Sequence, residues 1–156
     1  MQKNSYNDGV TMDSRFKVRS GVHLIFRKDG KILLLKRRST GYDDGKFGLV
    51  AGHLDEGETL TQTAIREVNE EIGVLIKSED LQPIHFLNSI DSEKNEYVLV
   101  FFAIDKWINE PKNMEPEKCS EMIWAEESKL PENISPLVKH VINKIKHREL
   151  YSEFGW

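Results

Sequence analysis

The sequence predicts an α/β (α+β) domain, in which short strands form a sheet and two amphipathic helices pack on it. Two apolar runs flank an Asp29-Gly30 turn, which is typical of a β-hairpin. Residues 59–73 carry the apolar spacing and the end signals of a helix. A third apolar run, at residues 97–104, is apolar on both alternating sets of side chains, which indicates a central strand covered on both faces.

Size and composition fit one soluble domain. The chain has 156 residues, of which 38% are hydrophobic and 31% are charged. Its net charge of −4 gives no basic field for nucleic acid. Residues 1–14 are polar and lack periodicity, so we expect a flexible N-terminal arm before a single domain at residues 15–156.

The same survey favours a cytoplasmic protein. Cys119 is the only cysteine, so an internal disulfide is excluded, as suits a reducing compartment. The N-terminus lacks the basic and apolar pattern of a secretion signal. The apolar runs are too short for a membrane span, so no membrane partner is expected.

The first half of the chain is expected to supply a hairpin and a third strand. Residues 16–27 and 32–35 are the two arms of the hairpin. Residues 39–46 read STGYDDGK, a loop composition, and residues 47–50 form a short strand. This strand leads directly into the loop before the first helix.

The first helix has clear boundaries in the sequence. Thr59 and Gln62 form a capping-box pattern, and Gly73 suits the left-handed position after the last turn. At about 100° per residue, one face of the helix is apolar. Its members are Leu60, Ala64, Ile65, Val68 and Ile72. The three glutamates near the helix end are expected on the opposite side. They are Glu67, Glu70 and Glu71.

The second half continues with strands and a closing helix. After a connector at residues 81–83, strands are expected at 84–90, 97–104 and 122–125, with a loop at 109–120. Ser135 is the expected cap of the second helix, and Pro136 lies in its first turn. The aromatic tail at residues 151–156 is expected to dock either on the domain or on a partner subunit, which leaves a homodimer open.

The glutamates of the first helix allow two interpretations. Side chains three and four residues apart are neighbours on a helix, so like charges there destabilise it slightly. A bound hard cation would reverse that cost, since Mg²⁺ prefers oxygen ligands and takes one or two carboxylates together with water and phosphates. The alternative is a solvated acidic face. Spacing alone does not decide between them.

Residues 52–74 resemble the Nudix box, the signature of the Nudix hydrolases. The family pattern is Gly, five residues, Glu, seven residues, Arg-Glu, an aliphatic residue, any residue, Glu-Glu, any residue, Gly and an aliphatic residue. Every fixed position is filled, by Gly52, Glu58, Arg66, Glu67, Val68, Glu70, Glu71, Gly73 and Val74. The segment before residue 52 reads Val50-Ala51, where many relatives have Pro-Gly. Residues 110–119, together with Trp124 and Leu130-Pro131, are similar to the MutT-like nucleoside triphosphate diphosphatases.

The resemblance implies a fold and a chemistry. The implied fold is the Nudix α/β/α sandwich with a mixed sheet, and the predicted order of elements agrees with it. The implied reaction is hydrolysis at the pyrophosphate of a nucleoside diphosphate linked to another group. Mg²⁺ is the implied cofactor, with Mn²⁺ possible.

The resemblance also assigns roles to individual residues. Glu67 and Glu71 match the main metal ligands, and Glu70 matches a further ligand or the group that activates water. Arg66 matches the arginine that orients the glutamates. Two positions in the loop before the helix complete the set: Glu58 is an accessory ligand or orienting carboxylate, and Gly52 offers a backbone carbonyl to the metal.

Some relatives take their catalytic base from a distant loop. Glu117 is the first candidate here and Glu121 the second, with an ordinary exposed loop charge as the competing interpretation. On the substrate side, Arg37 is a candidate for a phosphate contact, and Tyr42 and Phe47 are candidates for stacking on a base. Ordinary surface and packing roles compete with these as well.

Three hypotheses of function follow. The first is a metal-dependent pyrophosphohydrolase of nucleoside triphosphates, including damaged ones. The second is the same chemistry on ADP-ribose, a nucleotide sugar or a dinucleotide polyphosphate. The third is a non-catalytic nucleotide-binding regulatory module, which the complete set of box glutamates disfavours. All three imply a small nucleotide-linked molecule as the partner.

Overall fold

A computed structural model describes residues 15–156, and the predicted arm at residues 1–14 lies outside that range. The described chain forms eight strands and two α-helices. The strands are β1 (Arg19–Lys28), β2 (Lys31–Arg37), β3 (Phe47–Gly48), β4 (Val50–His53), β5 (Gln82–Ile90), β6 (Glu96–Ile104), β7 (Cys119–Glu126) and β8 (Tyr151–Phe154). The helices are α1 (Leu60–Ile72) and α2 (Pro136–Lys146). No helix within the described range is long and apolar enough to cross a membrane.

The sheet is mixed, as expected. Its order is β3-β2-β1-β6-β5-β8, with β4 also paired to β1 and β7 also paired to β2. The pairs β1–β6 and β5–β8 are parallel, and the others are antiparallel. β1 pairs with β2 only beside the hairpin turn, whereas its first half pairs with β4. This divergence places β4 beside the centre of the sheet.

Two apolar cores lie on opposite faces of the sheet and make the predicted α/β/α sandwich. The first joins α1 to alternate residues of β1 and β6, among them Val22, Leu24, Val100 and Phe102. The second joins α2 to the intervening residues, among them Ile25, Leu99 and Phe101. β6 is therefore covered on both faces, as its sequence predicts.

Both ends of α1 agree with the sequence prediction. The Thr59 side chain accepts from the Gln62 amide at 3.2 Å, and the Gln62 side chain accepts from the Thr59 amide at 2.8 Å. Gly73 has φ 67°, which a residue without a side chain adopts without strain. The start of α2 differs in one respect. Ser135 holds the cap position, but its hydroxyl donates to Asp43 at 2.8 Å instead of capping the helix.

Several strand boundaries differ from the prediction, and the predicted strand at residues 47–50 is divided between β3 and β4. β5 begins at Gln82, because Pro83 is tolerated at an irregularity in the pairing of β5 with β6. β7 begins at Cys119 and so takes in the end of the predicted loop. The C-terminal tail forms β8, which pairs in parallel with β5 and docks on the domain itself.

Candidate active site

The site begins where α1 crosses β4. Gly52 lies on β4 directly under Glu67, and a Cβ at position 52 would collide with the Glu67 carboxylate. The Glu67 side chain is only 13% exposed as a result. Glycine at this position is therefore what lets α1 approach the strand closely enough to hold a carboxylate between them.

Arg66 fixes the carboxylates around it. Its Nε donates to Glu58 Oε1 at 2.8 Å and its Nη2 donates to Glu58 Oε2 at 2.9 Å, a bidentate arrangement. Its Nη1 donates to Glu67 Oε1 at 2.7 Å. The hydrogen bonds from Arg66 hold the pKa of Glu58 at about 2. Arg66 thus ties the loop before α1 to the helix and holds the Glu67 carboxylate.

Glu71 is the most deeply buried carboxylate of the group. Burial raises its pKa to about 8, and the charges of Glu67 and Glu115 act in the same direction. The backbone amide of Ala51 donates to it, which partly offsets these effects. Burial likewise raises the pKa of Glu67. The site therefore gathers carboxyl groups in a partly desolvated place, where a bound cation would stabilise their charged forms.

The predicted arrangement of the helix faces was wrong in one respect. Glu67 and Glu71 do not lie opposite the apolar face, because position 71 is only about 20° from Ala64 around the helix axis. They lie at its border and turn inward toward β4. Glu70 is the one of the three helical glutamates that points outward. Its side chain is 52% exposed, and its Oε2 lies 3.4 Å from Arg66 Nη1.

A fourth carboxylate comes from the loop before β7. Two of the last carbonyls of α1 accept hydrogen bonds from this loop: Ile72 from the Lys112 amide at 2.9 Å and Glu71 from the Met114 amide at 3.0 Å. Glu115 follows at once, and its charge acts on both Glu67 and Glu71. Lys118 also binds it, at 2.8 Å.

Glu115 was not among the candidates from the sequence, where Glu117 was the first candidate in this loop and Glu121 the second. Glu117 is exposed, and its charge is not among those that shift the pKa of Glu67 or Glu71. Glu121 lies on β7 and forms an ion pair with Lys36, with 3.6 Å between Glu121 Oε2 and Lys36 Nζ. Glu115 and Glu117 lie in one loop and look alike in sequence. Only the hydrogen bonds from the loop to the end of α1 distinguish the one that faces the helix.

Arg37 and Tyr42 lie together beside the site. Arg37 Nε donates to the Tyr42 carbonyl at 2.7 Å, and its Nη2 donates to Thr40 Oγ1 at 3.1 Å. The guanidinium also lies 5.6 Å from the centre of the Tyr42 ring. Because these bonds use two of its five N–H groups, Arg37 keeps donors for an anion. Tyr42 is 54% exposed and free to stack.

Phe47 does not fit its predicted role. It is 5% exposed and belongs to the core beneath α2. Its backbone is bonded on both sides, by the Asn133 carbonyl at 2.9 Å and the Ser135 amide at 2.8 Å. Phe47 is therefore a packing residue that anchors the loop of residues 39–46, and we no longer assign it to substrate binding.

A cavity of about 720 Å³ lies elsewhere, at the hairpin of β1 and β2 and the segment after β6. Its lining includes Arg27, Asp29 and Trp107 but none of the box glutamates. Cationic and anionic side chains alternate around it, so it favours no charged ligand. The carboxylates of α1 remain the stronger candidate for chemistry.

The carboxylates of α1 fit a divalent cation that also takes ligands from water and substrate. Among residues 15–156, no three acidic, histidine or cysteine side chains are already gathered in metal-ligand positions. Two partly buried carboxylates are nevertheless coupled: the charge of Glu67 raises the pKa of Glu71, and the charge of Glu115 raises the pKa of both. Mg²⁺ needs no more than one or two protein carboxylates, so the residues fit such a cation.

Several proteins of known name are similar to this chain in sequence. An ADP-ribose pyrophosphatase of Methanocaldococcus jannaschii is 34% identical over 82 residues, which are 52% of this chain and 47% of that protein. The NAD-capped RNA hydrolase NudC of Photobacterium profundum is 33% identical over 107 residues, 67% of this chain and 36% of that protein. The matched part thus spans less than half of either relative. Phosphatase NudJ of Escherichia coli is 28% identical over 153 residues, with 90% of this chain and 95% of that protein covered.

Solved structures show the same fold. A MutT NUDIX hydrolase from Burkholderia pseudomallei superposes with a TM-score of 0.75 at 23% identity, covering 82% of this chain and 98% of that one. A MutT protein from Methanosarcina mazei gives a TM-score of 0.72 at 19% identity, covering 83% and 94%. These identities are too low to say more than that the fold is shared.

The family follows from the match to a family model. The model described as the NUDIX domain matches residues 16–145, which is most of the chain and includes α1, β4 and the loop that carries Glu115. Members of this family generally use divalent metal ions. With the complete box, the α/β/α fold and this match in agreement, the chain belongs to the NUDIX domain family.

Proposed function

We propose that this protein hydrolyses a diphosphate linkage in a nucleoside diphosphate derivative, with a divalent cation as cofactor. The observation that carries the proposal is the packing of the Glu67 carboxylate against Gly52, together with the buried Glu71, whose pKa the charge of Glu67 helps to raise. Two buried carboxylates without a cation destabilise the fold, which indicates a binding role.

Mg²⁺ is the cofactor that the donor set favours, because every candidate ligand is an oxygen. Glu67 and Glu71 would hold it, with Glu70 and the Gly52 carbonyl as further ligands. When bound, such an ion neutralises phosphate charge and makes a bound water more acidic. Mn²⁺ accepts the same ligands.

The remaining side chains prepare the site for that chemistry. Arg66 orients Glu67 and keeps Glu58 ionised through the bidentate contact. A carboxylate must also remove a proton from the attacking water. Glu70, Glu71 and Glu115 are the candidates. Glu115 replaces Glu117 as the preferred residue from the distal loop because its charge acts on Glu67 and Glu71.

Arg37 and Tyr42 are the residues that we propose for substrate binding. Arg37 has free N–H donors for a phosphate oxygen, and its two structural hydrogen bonds hold it against the Tyr42 loop. Tyr42 offers an exposed ring beside it. A diphosphate with an attached aromatic group matches that pairing of charge and ring.

The names of the relatives favour a broad substrate class over one compound. ADP-ribose, named for the relative in Methanocaldococcus jannaschii, is a nucleoside diphosphate joined to a sugar. Nucleoside triphosphates remain the second candidate, on the likeness of residues 110–119 to MutT-like enzymes. Both candidates share the diphosphate and the nucleoside. A cytoplasmic location and a homodimer stay predictions.

A coupled phosphate-release screen tests the proposal. The full chain is incubated with nucleoside triphosphates, ADP-ribose, nucleotide sugars and dinucleotide polyphosphates, with Mg²⁺ and with chelator. We expect hydrolysis of at least one compound with Mg²⁺ and none in chelator. Absence of turnover on every compound, or undiminished turnover in chelator, would refute the proposal.

A further inference from the structure

Lys118 lies where the loop that carries Glu115 enters the sheet. The Arg38 amide, just past the end of β2, donates to the Lys118 carbonyl at 2.8 Å. The next residue, Cys119, begins β7 and pairs with Arg37 on β2. Arg37 and Lys118, which are far apart in the sequence, are thus brought to the same end of the β2–β7 pair. Lys118 therefore lies beside the arginine that we propose for a phosphate contact.

The ammonium of Lys118 is paired with the distal carboxylate. Lys118 Nζ donates to Glu115 Oε1 at 2.8 Å, and the Lys118 amide donates to the Glu115 carbonyl at 2.9 Å. The hydrogen bond to Glu115 raises the pKa of Lys118, and the charges of Glu115, Glu117 and Glu71 act in the same direction. The charge of Arg37 acts on Glu71 as well. Lys118 and Arg37 are therefore two cations within electrostatic range of the same buried carboxylate.

The contact between Lys118 and Glu115 is easily opened. The side chain of Lys118 is 58% exposed and that of Glu115 is 25% exposed. An exposed ion pair of this kind contributes little to folding stability. The ammonium has three N–H donors, and within residues 15–156 Glu115 is the one carboxylate at ion-pair distance from it. Lys118 can therefore turn to another anion at little cost.

The other cations of the site leave phosphate charge to be matched. Arg66 donates to both oxygens of Glu58 and to Glu67, so it is committed to the protein's own carboxylates. Arg37 keeps free donors, but it brings a single positive charge. A diphosphate linkage carries charged oxygens on both phosphorus atoms. A second cation beside Arg37 is what such a ligand would require, and Lys118 is in that position.

We propose that Lys118 is a phosphate-binding residue, and that it exchanges Glu115 for a phosphate oxygen when a divalent cation and the substrate bind. The charge of Glu115 acts on both Glu67 and Glu71, so a cation held there competes with the ammonium for Glu115 and repels Lys118. The released ammonium and Arg37 contact different oxygens of one diphosphate. The exchange also frees Glu115 to accept a proton from water. This role rests on the proposed function, which takes the substrate to be a diphosphate compound.

Two binding measurements test the exchange without turnover. The full chain is titrated by calorimetry with Mg²⁺ alone and then, at saturating Mg²⁺, with α,β-methylene-ADP, in which a methylene group replaces the bridging oxygen and prevents hydrolysis. Lys118→Met removes a positive charge near the cation and also removes a donor to phosphate. We expect the dissociation constant of Mg²⁺ to fall about threefold. That of α,β-methylene-ADP should rise about tenfold.

Two further variants serve as controls. Lys144→Met is matched in charge, because Lys144 forms a similar ion pair with Glu149 at 3.0 Å, on the opposite side of the sheet from α1. It should leave both dissociation constants unchanged. Lys118→Arg keeps a positive donor, so it should weaken binding of α,β-methylene-ADP less than Lys118→Met does.

The opposite signs of the two changes identify the exchange. Weaker Mg²⁺ binding in Lys118→Met would mean that Lys118 only supports Glu115, and unchanged Mg²⁺ binding would mean that the two cations do not compete. Unchanged binding of α,β-methylene-ADP would make the contact an ordinary surface ion pair. Each of these results overturns the inference, as does a wild-type protein that fails to bind α,β-methylene-ADP with Mg²⁺.

The outcomes separate this inference from the proposed function. Hydrolysis in the phosphate-release screen, with binding by Lys118→Met equal to that of wild type, would refute the role of Lys118 alone. The expected pair of changes without hydrolysis of any diphosphate compound would refute the proposed function and leave Lys118 as a phosphate-binding residue.

Discussion

The carboxylate of Glu67 occupies the space that any side chain at position 52 would need. One residue comes from α1 and the other from β4, so this contact sets the distance between the helix and the strand. The first glycine and the first helical glutamate of the box are thus coupled through space. Their coupling explains physically why a pattern of single residues spread over a loop and a helix defines one site.

Gly52→Ala should therefore disable the site without unfolding the domain. The new methyl group must push Glu67 away from β4, so we expect kcat with Mg²⁺ to fall by about 10²-fold or more. Gly48→Ala is the matched control, because a Cβ there meets nothing within 4 Å. Steady-state kinetics and thermal unfolding of both variants check this. Equal activity in Gly52→Ala and Gly48→Ala would contradict the role given to the contact.

Arg66→Lys should weaken cation binding more than substrate binding. Lysine keeps the charge but cannot make the two parallel hydrogen bonds to Glu58 while it also holds Glu67. We expect the Mg²⁺ concentration for half-maximal rate to rise about tenfold or more, with KM for substrate changed little. The Mg²⁺ concentration for half-maximal rate is measured by titrating Mg²⁺ at saturating substrate, and KM is measured at saturating Mg²⁺. A rise in KM alone would place Arg66 on the substrate instead.

The buried Glu71 predicts a pH dependence of the metal-free protein. Its pKa rises from 4.5 to about 8 on folding, so between these values the folded state holds a proton that the unfolded state has lost. This contribution to stability is full below pH 4.5 and disappears as the pH rises through 8. Glutamine cannot ionise, so Glu71→Gln should gain stability over wild type by at least about 1 kcal/mol between pH 5 and pH 8.

Denaturant unfolding in chelator at both pH values measures that difference. Glu70→Gln is the control, because its side chain is exposed and should show a smaller change. If wild type and Glu71→Gln depend on pH in the same way, the burial of Glu71 has been misjudged.

The distal carboxylate can be identified by comparing two neighbours in one loop. Glu115 acts on Glu67 and Glu71 electrostatically, whereas Glu117 is exposed. Glu115→Gln should lower turnover by about 10²-fold or more if it takes part in proton removal, and Glu117→Gln should have little effect. Rates of both variants at saturating Mg²⁺ and substrate decide it. The reverse order would restore Glu117, the residue that sequence reasoning chose.

Much of the fold could be predicted because local signals agree with one another. The capping box at Thr59, the glycine at position 73 and the doubly apolar run in β6 each specify their element without tertiary information. β8 could not be predicted. Its four residues alternate weakly, and only the pairing with β5 makes them a strand.

The candidate site, like the fold, has residues that the sequence indicates and residues that it does not. The box glutamates belong to a pattern within one loop and one helix, so the sequence alone marks them as candidates. Glu115 depends on hydrogen bonds from residues 112 and 114 to the end of α1, which no spacing reveals. Phe47 looked available for stacking because an aromatic residue near a loop has no marker of burial, and its place beneath α2 is decided by long-range packing.

The proposed function depends most on whether Glu67 and Glu71 hold a cation that hydrolysis requires. The most direct measurement is the rate of diphosphate hydrolysis by wild type, Glu67→Gln and Glu71→Gln, each with Mg²⁺ and with chelator, on the best compound of the screen. We predict Mg²⁺-dependent turnover in wild type alone, with both variants folded and nearly inactive. Full activity in either variant, or wild-type activity that survives chelation, would contradict the central claim.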